Sequence, residues 1–237
     1  MSAGRNPEKF FERYAPFFAA VDKYADQIQN VLVIGANDGQ LADPVGQCWR
    51  EHWFGGFVEP DPKTGARLLR FLEKEKRKSR WIQDACGTED FTRPLKLYRL
   101  IRFAALRYKE VTGDDGSALT SFDYKHIADR IKKHLPGLVQ EYGMSFLIQD
   151  IDVNVYVPSY LLDVFSPQLV QVDVEGMDYE IVEEILQYDE KLPLIILFEH
   201  QHLTAQQCTV LDALAAQKGY RRTHMRNDTM YVRDLEA

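Results

Sequence analysis

At 237 residues, with 45% hydrophobic and 27% charged side chains, the chain is long enough for one large α/β domain or one domain with an embellishment. A formal net charge of −7 gives no support to non-specific nucleic-acid binding, and apolar runs such as Leu194 to Phe198 fall far short of the ~20 residues of a membrane span. Three widely spaced cysteines (Cys48, Cys86, Cys208) and a charged stretch from Met1 to Asn30 argue against a disulfide framework, a zinc pattern or a signal peptide, so a cytoplasmic protein is expected.

Residues 7–29 carry apolar side chains at helical spacing (Phe10, Tyr14, Phe17, Phe18, Val21, Tyr24, Ile28) and predict one or two helices packed on a sheet, within an N-terminal helical segment 1–29. Val31 to Ile34 then reads as a strand buried on both faces, as in a parallel sheet. It runs into a glycine turn, Gly35-Ala36-Asn37-Asp38-Gly39. A second strand, Gly56 to Val58, ends in Glu59. Pro60-Asp61-Pro62 leads to a helix from about Lys63 to Lys78, and Trp81 to Gly87 reads as a third strand and its exit.

The alternation breaks over residues 91–149, which hold Arg99, Arg102, Arg107 and Lys109, a Gly-Asp-Asp-Gly turn at 113–116 and a helix-like segment from Tyr124 to His134. This insertion or cap is expected over the carboxyl edge of the sheet. Val153 to Val157 has strand character and Tyr160 to Phe165 is a short helix. Leu169 to Val174 is a core strand, followed by a helix from Asp178 to Gln187 and a core strand from Leu194 to His200. A helix from Ala205 to Lys218 stops at Gly219, and two strands around Tyr220–His224 and Met230–Arg233 are joined at Asn227-Asp228. The predicted fold is α/β, with a doubly wound, mostly parallel Rossmann-like sheet, a C-terminal antiparallel hairpin and an insertion before the fourth core strand. All of it, residues 1–237, is expected to form a single domain.

The ligand follows from the glycines and the acid. Glu59 stands about two dozen positions beyond Gly35, near the ~20-residue offset at which dinucleotide-type folds place a carboxylate on a ribose diol. A dinucleotide fingerprint needs glycine at 35, 37 and 40, where this chain has Gly35, Asn37 and Gln40. Glycine returns at 39 instead, giving G-x-N-x-G, a variant of the G-x-G-x-G turn that binds S-adenosylmethionine. Asp38 would repel a pyrophosphate but suits a cationic sulfonium and ammonium. An ordinary strand-to-helix turn without ligand is the plain alternative, and an NAD-dependent oxidoreductase is the rival that the spacing opposes.

Gly35 to Gly39 with Asp43-Pro44, Val58-Glu59-Pro60, Asp173-Val174-Glu175-Gly176-Met177-Asp178-Tyr179-Glu180 and Phe198-Glu199-His200-Gln201-His202-Leu203, in that order, resemble the FkbM family of S-adenosylmethionine-dependent methyltransferases. Ser121-Phe122-Asp123 and Asn227-Asp228-Thr229 also resemble family segments, so the resemblance runs from about residue 30 to 233. It implies a class I methyltransferase fold and O-methylation of a sugar or natural-product hydroxyl. Many members have lysine where this chain has Gln171.

The cofactor-binding residues expected are Gly35, Ala36, Asn37, Asp38, Gly39, Glu59, Pro60, Asp84, Ala85 and Asp173. Glu59 would hold the ribose, the glycine turn would pass under the methionine part, and Asp84 would accept the adenine amino group beside the Ala85 backbone. The catalytic candidates His200, Asp173, Glu175 and Glu199 close the two central strands. His200 leads as general base because imidazole titrates near neutrality, with Asp173 or Glu175 orienting it or binding the acceptor. Acids at a helix start or a strand end also occur for capping alone. Asp173, Glu175 and Glu199 have oxygen ligands suited to magnesium or calcium, yet no metal is assigned, and His200 with His202 makes no zinc site. The basic side chains of the insertion would recognise an anionic group on the acceptor or simply be solvated. The partner expected is a small-molecule hydroxyl acceptor, with no nucleic acid and no membrane. A non-catalytic nucleoside-binding or scaffold protein of the same fold is the second reading.

Overall fold

The computed structural model describes residues 7–40, 43–87, 95–113, 119–174 and 176–233. In chain order the elements are α1 (Pro7–Lys23), β1 (Asn30–Ile34), α2 (Pro44–Gln47), β2 (Phe54–Val58), α3 (Pro62–Lys74), β3 (Lys78–Ile82), β4 (Ala85–Cys86), β5 (Leu95–Leu100) and α4 (Arg102–Thr112). They continue with α5 (Tyr124–His134), α6 (Pro136–Tyr142), α7 (Met144–Leu147), β6 (Ile148–Val153), β7 (Val155–Tyr156), α8 (Pro158–Phe165), β8 (Leu169–Val172), α9 (Asp178–Gln187), β9 (Ile195–Glu199), α10 (Ala205–Gln217), β10 (Tyr220–Met225) and β11 (Asp228–Arg233).

Seven strands make one sheet in the order β10-β11-β9-β8-β1-β2-β3. β1 pairs parallel with β2 and β8, β2 with β3 and β8 with β9, while β11 runs antiparallel to both β9 and β10. Counted in chain order within this sheet the arrangement is 3-2-1-4-5-7-6, a Rossmann-like class I methyltransferase fold. The apolar residues of each core strand divide between two faces by the two-residue period of a strand. Leu32, Ile34, Val170, Val172, Ile196 and Phe198 pack with α8, α9 and α10. Val31, Val33, Leu169, Ile195 and Leu197 pack with Phe17 and Val21 of α1 and Leu68 and Leu72 of α3. Thr204 and Gln207 start α10 with a reciprocal capping box, and Gly219 follows its end at φ 79°.

The chain order reverses between β1 and β8, and an open α/β sheet binds its ligand outside the carboxyl ends of the strands at that point. The inserted segment between β3 and β8 pairs β5 with β6 antiparallel and buries its own cluster of Leu100, Ala104, Tyr108, Ile127, Ile131 and Leu147. The α5 bounds match the segment predicted from sequence.

Four local expectations are corrected. The helix expected from about Lys63 to Lys78 is shorter: α3 stops at Lys74, Lys76 takes a left-handed φ of 52°, and β3 begins at Lys78. The strand expected over 81–87 is two pieces, since Ala85–Cys86 leaves the main sheet to pair with β7. The strand expected over 153–157 likewise divides, Val153 ending β6 and Val155–Tyr156 forming β7, neither in the main sheet. The closing turn is at Arg226-Asn227, with Asp228 already paired to Met225 and Glu199. Asp114 to Gly116 of the expected glycine turn lie outside the described residues.

Candidate cofactor cleft and active site

The glycine turn leaves β1 and folds back on both neighbouring strands. The N–H groups of Gly35 and Ala36 both donate to the Val58 carbonyl at 3.0 Å. Gly35 has φ +79°, and a Cβ there would stand 1.8 Å from the Asp173 main-chain oxygen, so only glycine fits between β1 and β8. Asn37, at φ 48°, accepts from the Asp38 N–H at 2.8 Å, and Asp38 accepts from the Gln40 N–H at 3.0 Å. These side-chain-to-backbone bonds hold the turn in shape without a second glycine at 37.

Glu59 is held rigidly above this turn. Its Oε2 accepts from the Asn37 N–H at 3.0 Å and its Oε1 from the Asp61 N–H at 2.8 Å. The residue is 7% exposed. Loss of water pushes its pKa up to about 7, and the Asp61 carboxylate adds to the rise, against the opposing pull of the Asp61 and Asn37 N–H groups and Arg67. Each oxygen keeps acceptor capacity for a further hydroxyl. This is the feature a ribose diol requires.

Asp61 ties the cleft to the inserted segment. It caps α3 by accepting from the Thr64 N–H at 2.9 Å and hydroxyl at 2.7 Å, and Arg99 of β5 forms an ion pair with its other oxygen. The Asp61 side chain is 5% exposed and that of Arg99 21%. Removing one partner of a buried pair leaves an uncompensated charge. Arg99→Gln should therefore lower unfolding stability by about 1–3 kcal/mol, less than a fully buried pair because Arg99 still reaches water. A denaturant midpoint equal to that of the parent protein would show that the tether contributes nothing.

Beyond β3, Asp84 is half-buried and accepts from the Asn154 amide at 3.2 Å, while the buried Ala85 donates its N–H to the Asn154 carbonyl at 2.9 Å. Beside Asp84 a cavity of about 200 Å³ opens between β3 and α8, lined by Arg80, Trp81, Ile82, Tyr156 and Tyr160 among others. Pro60 lies half-buried and Ala36 buried at the cleft.

On the far side of the turn, Asp173 donates its N–H to Ile34 at 3.0 Å and its side chain is exposed. Asp178, 1% exposed, accepts from the N–H groups of Val174 (3.2 Å) and Gly176 (3.3 Å), and so shapes the loop after β8. Glu175 in that loop lies outside the described residues. Two side chains of α1 reach the same end of the sheet: Arg13 forms an ion pair with Asp228, and the Tyr14 hydroxyl donates to Asp228 at 3.1 Å. Burial first, and then the carboxylates of Asp228 and Asp173, push the Tyr14 phenol well above its ordinary range.

Glu199 and His200 are consecutive and diverge to opposite faces. Glu199 lies 3.6 Å from His202 Nε2. His200 donates its N–H to the Asn227 carbonyl at 2.8 Å and sets its ring Nδ1 3.0 Å from the Thr229 hydroxyl. Burial, followed by the neighbouring His224, lowers its pKa below the ordinary imidazole value. The group on the His200 ring is Thr229, and the Asp173 carboxylate acts on the Tyr14 phenol. Thr229, His224 and Tyr14 were given no site role from the sequence, because strand register and helix docking bring them in, and Arg99, read there as an anion-recognising cation, pairs with Asp61. Among the described residues no group of three or more His, Cys, Asp or Glu side chains could hold a metal ion, and no helix is long and apolar enough to cross a membrane.

No protein-family model matches the chain, and no curated protein matches it. Solved structures do. The methyltransferase FkbM from Methylobacillus flagellatus aligns at 13% identity and TM-score 0.46 over 86% of this chain, which spans 43% of that protein's length. A precorrin-6y C5,15-methyltransferase from Geobacter metallireducens aligns at 10% identity and TM-score 0.44, covering 93% of this chain and 87% of its own. A candidate RNA methyltransferase from Pyrococcus horikoshii aligns at 9% identity and TM-score 0.45, covering 97% of this chain and 83% of its own.

Proposed function

We propose that this chain is an S-adenosylmethionine-dependent O-methyltransferase of FkbM type, acting on a hydroxyl of a sugar or natural-product-type small molecule in the cytoplasm. The observation that carries this reading is the Glu59 carboxylate, fixed by the Asn37 and Asp61 N–H groups above a glycine turn at the point where strand order reverses. Glu59 accepts the two ribose hydroxyls. Gly35 lets the turn pack directly against the end of β8, and the methionine part lies along the turn. Asp84 takes the adenine amino group beside Ala85, and the cavity next to it has room for a base rather than a whole nucleoside.

Bound S-adenosylmethionine supplies a methyl group already activated by its sulfonium. What remains for the protein is to align the acceptor oxygen and remove its proton. His200, kept neutral by burial, is the general base, and Asp173 with Glu175 and Glu199 binds or orients the acceptor. A net charge of −7 favours a small-molecule acceptor over nucleic acid. One domain spans the chain, with the inserted segment as its cap.

Calorimetric titration with S-adenosylmethionine and S-adenosylhomocysteine, with NAD as control, tests the reading. Saturable binding of the two sulfur ligands and none of NAD is expected. Absence of both in folded protein would sink it and leave a non-catalytic protein of this fold.

A further inference from the structure

Thr229 is 1% exposed, and its register partners are Phe198 on β9 and His224 on β10. The pairing gathers two imidazoles around one hydroxyl at the carboxyl end of β9. Thr229 Oγ1 stands 3.0 Å from His200 Nδ1 and 3.1 Å from His224 Nδ1, with the ring centroids 5.1 Å apart. A threonine hydroxyl has one proton to donate. Its oxygen has two lone pairs, so with both rings neutral and both bonds made, at most one ring accepts from the hydroxyl and at least one donates to it. The tautomers of the two histidines are thereby coupled.

Surroundings choose among these arrangements. The Asp228 main chain acts on the His200 ring in the sense that favours an N–H, as an acceptor does. His224 is exposed, so water satisfies its outer nitrogen in either state. Besides His224, the charged groups acting on His200 are Asp228 and Arg13. The partly buried ring therefore donates, and the exposed ring accepts.

We infer that Thr229 and His224 are positioning residues for His200: His200 Nδ1–H donates to Thr229 Oγ1, whose hydroxyl donates to His224 Nδ1, leaving His200 Nε2 as the lone-pair nitrogen. This rests on the assignment of His200 as general base. A proton taken from the acceptor hydroxyl then lands on Nε2 without a ring flip, and it leaves to water. A hydroxyl in the place usually held by a carboxylate orients the ring without stabilising its charged form, which returns it to the neutral state.

Long-range proton–nitrogen correlation spectra of the full-length, nitrogen-15-labelled protein at pH 7.5 test the relay, with His200→Ala used for assignment. The expected spectrum shows His200 Nδ1 as an N–H nitrogen and Nε2 as a lone-pair nitrogen. His224→Ala, a change at an exposed position, should lose that preference, as should Thr229→Val, whereas Thr229→Ser should keep it. A His200 protonated on Nε2 in the parent protein, or a tautomer unmoved by His224→Ala, overturns the proposal even if Thr229→Val does not fold. Titration of the same sample with S-adenosylhomocysteine reports separately on the methyltransferase reading. An expected spectrum without ligand binding would sink that reading and leave the relay standing.

Discussion

Glu59→Gln should weaken S-adenosylhomocysteine binding by roughly 100-fold or more while the protein stays folded. Two hydrogen bonds from ribose hydroxyls to a carboxylate contribute about 1.5–3 kcal/mol each, so losing the charge and one acceptor removes several kcal/mol. The amide NH₂ would also face one of the two backbone N–H groups that now hold the carboxylate, from Asn37 or Asp61. In the parent protein the affinity should depend on pH. With the pKa of Glu59 raised to about 7, its ionised form, the better acceptor, is complete only above neutrality. Affinity should therefore fall up to ten-fold per pH unit below 7 and level off above it. A flat profile between pH 5.5 and 8 in calorimetry would refute the ribose role.

Stability carries the opposite sign. A carboxyl whose folded pKa lies above its unfolded value holds its proton longer in the native state, so the native state is favoured at low pH. That advantage is lost as pH rises from about 4.5 to 7, on the order of 3 kcal/mol for Glu59. Asp43, raised to about 6 by burial, adds a similar slope at lower pH in parent and variant alike. The difference in unfolding free energy between pH 5 and pH 8 should thus be smaller in Glu59→Gln than in the parent.

His200→Ala should lower methyl transfer by about 10²- to 10⁴-fold, the usual contribution of a positioned general base, with cofactor affinity unchanged. His200 lies on the β9–β11 side of the sheet, whereas Glu59 follows β2, so the two substitutions separate turnover from binding. Burial and His224 lower the His200 pKa, which favours the neutral imidazole. The pH–rate profile should accordingly stay level down to below the ordinary imidazole value of about 6.5 before it falls. Normal turnover in His200→Ala, measured with any accepted hydroxyl substrate, would end the base assignment.

Much of the architecture is legible in the chain because it is written in local chemistry. Val31 to Ile34 is a continuous apolar run, and Leu169 to Val172 is one broken only by Gln171, as strands covered on both faces require. Gly35 and Gly39 announce a turn, Asp61-Pro62 and Thr204 to Gln207 announce helix starts, and Gly219 announces a stop. The offset of Glu59 from Gly35 marked it in the sequence, and the structure bonds its carboxylate to the turn at the Asn37 N–H. Element ends were less legible: a helix reads from about Lys63 to Lys78, yet Lys76 turns left-handed and β3 begins. Short pairings such as β4 with β7 leave no periodicity to detect.

What only the tertiary structure decided is how distant groups meet. No spacing reveals that Arg99 reaches Asp61 from an inserted segment, that Tyr14 and Arg13 dock on Asp228, or that the register of β11 places Thr229 between two histidines. These contacts join positions that strand order and helix docking bring together, and side-chain direction in a strand changes with every residue. Glu199 and His200 were both read as closing a central strand; in the folded sheet Glu199 lies by His202 and His200 by Thr229. The amino-acid sequence alone determined the strands, the turn and the acid at the end of β2, since each depends on local residue chemistry. The surroundings of the base depend on which strands lie side by side, and only the folded sheet decides that.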